Sequence, residues 1–473
     1  MIKEFEHLDK YEKIEQHKSA IIEGDLLRFH YDNSGISENI VTAFQKIADN
    51  AGLIDALKEI QNGAACNNGL SASHYKCRLL EDSNAYQREL KRCLEFCDAV
   101  QNNSIQSIKG LPFTHVLQIG IGGSHLGPEA AHLFFDTVFT KENKEKHLSA
   151  SFVSNIDPLE FKSKTKQLEP TQCLFILSSK SGNTQETLSN YELLKEWWRS
   201  NNLNEHDLSK HCVVITCKNS ELDKRSTAAY RFYIDEHIGG RFSLSSVSGV
   251  CLLALCFGKE AASSFLKGAA AQDTISRNSK LTENPAALSA MISTYYRQVM
   301  HCNTQAIIGY SYALSLFHLH LQQLICESNG KNLDRQNKPI SYNSSPIIFG
   351  SPGTNAQHSF FQLLHQGTEN CPIEFITIDE TLNDSSNTKE ASNLLNANCA
   401  AQIQAFRDGD ASKHIPGNKA STKITLTALN IEQFGALLSF YENKVALQGI
   451  IWNINSFDQP AVQLGKDLVK QHS

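Results

Sequence analysis

Glu327 closes an apolar-periodic stretch, four residues after Gln323, in Gln322-Gln-Leu-Ile-Cys-Glu327-Ser-Asn-Gly-Lys331. On a helix that spacing puts the amide and the carboxylate on one face. Such a carboxylate can carry a proton as a general base if a fixed positive group stabilises the anion that forms. Gly239-Gly-Arg241-Phe-Ser holds an arginine after two flexible glycines. His358 and His365 are seven residues apart, about two turns, which predicts one side of a single helix. Gln459 and Lys466 place an amide and an ammonium at the same separation. Taken singly, each has a plain reading: a capping or surface-paired Glu327, an Arg241 beside an acidic neighbour, hydrogen-bonded core histidines. His318 and His320 face different ways on a helix and stay with that plain reading. No Asp, Glu or Cys stands at a helpful spacing from the histidines for a metal site.

Two glycine- and hydroxyl-rich loops invite an anion. In Gly120-Ile-Gly122-Gly123-Ser124-His125 the third glycine of a dinucleotide fingerprint falls on His125, and Pro128 stands where a P-loop needs its lysine. What remains is a turn whose backbone N–H groups and Ser124 hydroxyl open at a helix N-terminus, suited to one small anion, with an ordinary tight turn as the alternative. The second loop is richer. Ser179, Lys180, Ser181, Thr184 and Thr187 gather four hydroxyls and one cation within nine residues at a strand-to-helix junction. Helix capping explains one or two of those hydroxyls; a phosphate cradle explains the set.

The elements that must position these groups follow from hydrophobic patterning. Short β-like runs at 114–119 and 173–177 each lead through a turn into a helix, and 212–216 reads as another buried strand. After an Ala- and Ser-rich helical connector from about 249 to 296, further strands are expected at 305–309, 346–349, 373–378 and 423–429. This predicts an α/β protein with two doubly wound, mainly parallel sheets in tandem. Residues 8–57 read as mostly helical, and long helical stretches follow at 431–452 and after Asp458. The expected division is an N-terminal helical segment over 1–90, a smaller domain over 91–258 and a larger one over 259–473.

Composition narrows the partners. The 473 residues exceed what one core usually organises. Lys and Arg number 44 against 50 Asp and Glu, a formal net charge of −6, which argues against a nucleic-acid-binding or membrane-binding surface. The apolar run from Gly249 to Gly258 falls well short of the roughly twenty residues a membrane helix needs. The first residues lack the apolar core of a secretory signal, so the expected location is cytoplasmic. The 13 cysteines are odd in number and scattered, with Cys93 and Cys97 the tightest spacing, which favours reduced thiols over disulfides or zinc.

The motifs Gly120-Ile-Gly-Gly-Ser-His-Leu-Gly-Pro128, Ser179-Lys-Ser-Gly-Asn-Thr-Gln-Glu-Thr187, Gly239-Gly-Arg-Phe-Ser243, Glu327-Ser-Asn-Gly-Lys331, Pro352-Gly-Thr-Asn, His365-Gln-Gly and Asn455-Ser-Phe-Asp-Gln459 resemble, in order, the signature blocks of the glucose-6-phosphate isomerase family. The resemblance runs from about Leu111 to the C-terminus. It implies two sugar-isomerase domains of αβα sandwich type with helical additions at both ends, a homodimer, no cofactor, and reversible conversion of glucose 6-phosphate to fructose 6-phosphate. It assigns the phosphate to Gly123, Ser124, Ser179, Lys180, Ser181 and Thr184, with Thr187 supporting the loop. Glu327 matches the base that moves the proton between C1 and C2, and Arg241 the cation beside the cis-enediolate. His365 matches the ring-opening residue, which the family supplies from the partner subunit. Lys466 matches the residue near the ring or C1 oxygen, while Gln323 and Gln459 line the pocket.

The chain also departs from the family pattern. Lys180-Ser-Gly-Asn-Thr184 stands where many members have Lys-Thr-Phe-Thr-Thr, Pro460 replaces a frequent aromatic residue, His125 replaces a usual Asp, and Asn68 to His74 lacks the family's usual segment. Two rival readings share the phosphate loops: an isomerase of another phosphosugar, such as mannose 6-phosphate, and a noncatalytic phosphosugar sensor. A sensor has no need of Glu327, Arg241, His365 and Lys466 together.

Overall fold

The run Cys-Leu-Phe-Ile-Leu-Ser at 173–178 is buried at every residue, which requires a strand covered on both faces. In the computed structural model, which describes residues 1–14, 20–78, 84–380, 385–462, 464 and 468, it is the middle strand of a five-stranded sheet. The N-terminal strands are β1 (Ile21–Ile22), β2 (Leu27–Asn33), β3 (Ala65–Asn67) and β4 (Leu70–Ser71). The next five are β5 (His115–Ile119), β6 (Ser149–Val153), β7 (Cys173–Ser178), β8 (Cys212–Thr216) and β9 (Tyr230–Tyr233). The last are β10 (Thr304–Tyr310), β11 (Ile347–Pro352), β12 (Ile373–Ile378) and β13 (Ser421–Leu426).

The chain divides into two compact units, one formed by Ser73–Ala270 with Asn430–Gly435, the other by Met1–Ala72, Ala271–Leu429 and Ala436–Ser473. The division thus runs differently from the expected boundaries at residues 90 and 258. The turn Ser73–Cys77 packs on helix Ala85–Gln101, and that helix packs on Val247–Phe257 within the first of these units.

That unit carries the sheet β6-β5-β7-β8-β9, parallel throughout. Leu117, Ile119, Phe175 and Leu177 meet Tyr191, Leu194 and Trp198 of helix Gln185–Ser200 on one face. Val116, Leu174 and Ile176 point the other way and are equally buried, so both faces are covered. The chain steps outward from β5 to β6 and then crosses to β7 on the other side. The strand order therefore reverses between β5 and β7, where open α/β sheets bind ligands.

The other unit holds the sheet β1-β2-β13-β12-β10-β11. Strands β11, β10, β12 and β13 are parallel, while β2 pairs antiparallel with β13 and β1 antiparallel with β2. Ile308, Tyr310, Phe361, Phe375 and Phe406 centre its core. The expectation of a mostly helical 8–57 is corrected here. Leu27 and Phe29 alternate with less buried residues and add a strand to the sheet, and among the described residues of 8–57 the first helix is Glu38–Asn50. His358 and His365 do not share a helix: Gly353–Gln357 ends at His358 and a second helix begins at Phe361. Phe360 packs on Phe349 and Phe361 on Phe406, and the chain breaks where consecutive rings must be buried against different partners.

Candidate active site

The loops after β5 and β7 flank the reversal point of the five-stranded sheet, and each opens a long helix, Leu126–Lys141 and Gln185–Ser200. Most helices of comparable length here begin with a side-chain cap, such as Asn84, Ser37 or Asn284. These two do not. His125 and Thr184 stand at the N-cap positions without a capping bond, so backbone N–H groups at both N-termini are left for another acceptor. The Thr184 hydroxyl turns instead into its own loop, 2.8 Å from Ser179 Oγ and 3.4 Å from Ser181 Oγ. Gly182 closes the loop at φ +67, donating its N–H to Ser179 Oγ. Thr187 lies one turn into the helix with its hydroxyl buried and without a hydrogen-bond partner, an unsatisfied donor of the kind a ligand would complete.

In the β5 loop, Gly122 adopts φ +59 and the Ser124 carbonyl accepts from Gln118 Nε2 at 2.7 Å. Gly123 meets the Gly239-Gly-Arg241 segment directly. A Cβ there would lie 2.1 Å from the Gly240 carbonyl and 2.7 Å from the Arg241 nitrogen. Arg241 itself is 2% exposed in the short turn Gly240–Ser245, its guanidinium carbon 5.4 Å from the Phe242 ring centroid. Lys180 Nζ donates to the Glu236 carbonyl at 2.9 Å. Burial pulls the Lys180 pKa below its ordinary value; Cys217 opposes that, and Arg241 adds to it by like-charge repulsion. The unit thus gathers Gly123, Ser124, Ser179, Lys180, Ser181, Thr184, Thr187 and Arg241 around one sheet reversal: two cations, uncapped helix termini and several hydroxyls. That chemistry suits a phosphate.

In the other unit the helix Phe317–Asn329 carries Gln323 and Glu327 on one face as expected, with Gln323 Nε2 donating to Glu327 Oε2 at 3.0 Å. The Gln323 carbonyl oxygen is buried without a hydrogen-bond partner. Lys331 clamps the end of this helix. Its ammonium donates to the carbonyls of Glu327 (2.8 Å), Ser328 (2.7 Å) and Asp458 (3.0 Å), where a cation also complements the helix dipole. Asp458 is held in turn by Asn455 Nδ2 at 2.8 Å, and Ser456 Oγ donates to Asn329 Oδ1 at 2.6 Å. The blocks 327–331 and 455–459 are therefore one hydrogen-bonded assembly. Gln459 sits at its exposed edge.

His365 has partners of its own. Its ring stacks on Phe406 at 3.8 Å and 6°, and Nε2 lies 3.1 Å from Gln402 Oε1. Burial lowers its pKa, with the Gln402 hydrogen bond opposing the shift. Lys466 lies outside the described residues.

Residues 30–473 match the phosphoglucose isomerase family. The chain belongs to that family. It is 41% identical over 467 residues to a glucose-6-phosphate isomerase of Treponema denticola, covering 95% of this chain and 87% of that one. A Borrelia garinii glucose-6-phosphate isomerase is 40% identical, with 95% and 88% covered. Among solved structures, a glucose-6-phosphate isomerase from Chlamydia trachomatis superposes with a TM-score of 0.87 at 34% identity, over 96% of this chain and 90% of that one.

In this phosphoglucose isomerase family member, two of the departures have visible consequences. His125 Nε2 lies 2.9 Å from Glu129 Oε2, one turn along the same helix, and so is engaged within its own unit. Pro460 is exposed. Lys331 stands in the Glu327-Ser-Asn-Gly-Lys331 motif, but its type and place there assign it no chemistry. The signal was a lysine just past a helix-ending glycine, the position from which an ammonium reaches the last carbonyls.

Proposed function

We propose that this chain interconverts D-glucose 6-phosphate and D-fructose 6-phosphate through a cis-enediolate, as a cytoplasmic homodimer that needs no cofactor. Membership of the phosphoglucose isomerase family supports the substrate pair. Among the described residues no helix is long and apolar enough to cross a membrane. The observation that carries the chemistry is the Gln323 amide bonded to the Glu327 carboxylate, itself fixed at a helix end by Lys331.

In this reading Ser124, Ser179, Lys180, Ser181 and Thr184 hold the phosphate, with Gly123 keeping the loop close to Arg241 and Thr187 completing the cradle. His365, contributed by the partner subunit, opens the sugar ring together with Lys466. Glu327 then takes the C2 proton of the open aldose; the C–H electrons form the C1–C2 double bond and the carbonyl pair moves onto O1. Arg241 stabilises that oxyanion, whose charge would otherwise make the C2 proton too weakly acidic for a carboxylate. The O2 proton then passes to O1, leaving the charge on O2; that pair re-forms a carbonyl at C2 while the C1–C2 double-bond pair takes the proton from Glu327 at C1, which gives the ketose. Gln323 and Gln459 orient the hydroxyls.

Coupled assays across hexose 6-phosphates test the reading. Turnover is expected with glucose 6-phosphate and fructose 6-phosphate and not with mannose 6-phosphate. A protein that binds these sugars without turning them over contradicts it.

A further inference from the structure

Helices Ala85–Gln101 and Val247–Phe257 pack together within the unit that holds the phosphate loops. Cys93 and Cys97, four residues apart, share the buried face of the first, and Cys251 meets them from the second. All three are fully buried, and their sulfurs lie within 4.8 Å of one another. Among the described residues no other group of three potential metal donors is this close. The reaction proposed above uses none of them.

We infer that Cys93, Cys97 and Cys251 form a buried trithiol site for a trivalent thiophilic metalloid, with arsenic(III) as its representative. Three sulfurs around one soft centre, with bonds of about 2.3 Å, stand ~3.4–4.0 Å apart, so small side-chain rotations close the site. The donor count and the surroundings choose the ion. Structural zinc takes four ligands, and no fourth donor joins this group among the described residues. Copper(I) on three thiolates leaves two net negative charges where no water reaches, a heavy burial cost. Arsenic(III) takes three thiolates and forms a neutral complex.

The step is a condensation. Arsenous acid, As(OH)3, reacts with three Cys–SH groups; three As–O bonds break, three As–S bonds form, and each thiol proton leaves on a hydroxide as water. No electron is transferred. Because the thiols are enclosed, uptake waits on local separation of the two helices and is slow.

The test is native mass spectrometry of the reduced full-length protein after incubation with arsenous acid, with arsenic X-ray absorption on the same sample. One arsenic per chain, a mass gain of one arsenic less three hydrogens, and three sulfur neighbours are expected. Cys251→Ser and, separately, Cys93→Ala should each lose the complex while keeping a native circular dichroism spectrum, and Cys217→Ser, outside the group, should keep it. If one of the first two variants fails to fold, the other and the sulfur count of the wild type still decide. Wild type that takes up no arsenic, two-sulfur coordination, or binding lost in Cys217→Ser overturns the site.

Discussion

The backbone of Gly123 lies against that of Arg241, so close that a Cβ on Gly123 would fall 2.7 Å from the Arg241 nitrogen. The anion loop after β5 and the arginine proposed for the oxyanion are therefore one rigid piece. Gly123→Ala should force them apart, since the nearest atoms are backbone and cannot rotate away. The expected cost is about 1–3 kcal/mol of stability, with KM for fructose 6-phosphate raised and kcat lowered together. Unchanged kinetics in a folded Gly123→Ala variant would show that the contact does not matter to turnover.

Lys331 is expected to act as a positioning residue. Its ammonium donates to three carbonyls at the end of the Glu327 helix and lies 3.5 Å from the Asp458 carboxylate. Lys331→Met should cost roughly 1–3 kcal/mol, the range for buried hydrogen bonds from a charged donor, read from urea unfolding. It should lower kcat more than it raises KM, because the loosened end carries the proposed base and not the proposed phosphate loops. An Arg at this position should rescue stability in part, and kcat less.

Lys180, proposed to hold the phosphate, should give substrate affinity an alkaline limit. Its folded-state pKa lies below the ordinary 10.5, mainly through burial, with Arg241 adding repulsion. A phosphate dianion binds the ammonium form, so affinity should be full below that lowered pKa and fall as pH rises through it. Isothermal titration with fructose 6-phosphate over the alkaline range should show the fall in wild type. Lys180→Met should bind weakly at every pH and lack that limb.

His320 makes the fold sensitive to acid. Both its ring nitrogens are buried without partners, and burial lowers its pKa from 6.5 to about 4. Between those values the unfolded chain binds a proton that the folded chain does not, so stability falls as pH drops through that window and levels off below it. His320→Leu should remove this term and gain ~1–3 kcal/mol near pH 4. His30, His115 and His132 are lowered similarly, so the acid slope should shrink and not vanish. Chemical denaturation at neutral and acid pH measures the difference.

How far the structure was legible depended on how many constraints each segment carried. Strands β8 and β12 begin and end where their patterns place them, because central parallel strands are covered on both faces and all five residues of β8 and all six of β12 are buried. Strand β2 lies in a stretch whose local pattern reads as helix running into a turn at 31–35. Its alternation is carried by Leu27 and Phe29 alone, and its place is fixed by pairing with β13 nearly 400 residues later, which no local pattern reveals. The Gln323–Glu327 pair was legible because i, i+4 geometry is intrinsic to a helix. The pairing of His358 with His365 was not, because the break between them comes from burying Phe360 and Phe361 against different partners. The approach of Gly123 to Arg241 left only a glycine in the sequence, and its partner is set by the tertiary fold.

The central claim is that Glu327 carries a proton between C1 and C2. The most direct measurement is exchange of the C2 hydrogen of glucose 6-phosphate with deuterated solvent, followed by proton NMR in wild type and Glu327→Gln. Wild type should incorporate deuterium alongside isomerisation, while Glu327→Gln, folded and still binding the phosphosugar, should lose both by several orders of magnitude. Exchange or turnover at a near-normal rate in Glu327→Gln would contradict the account.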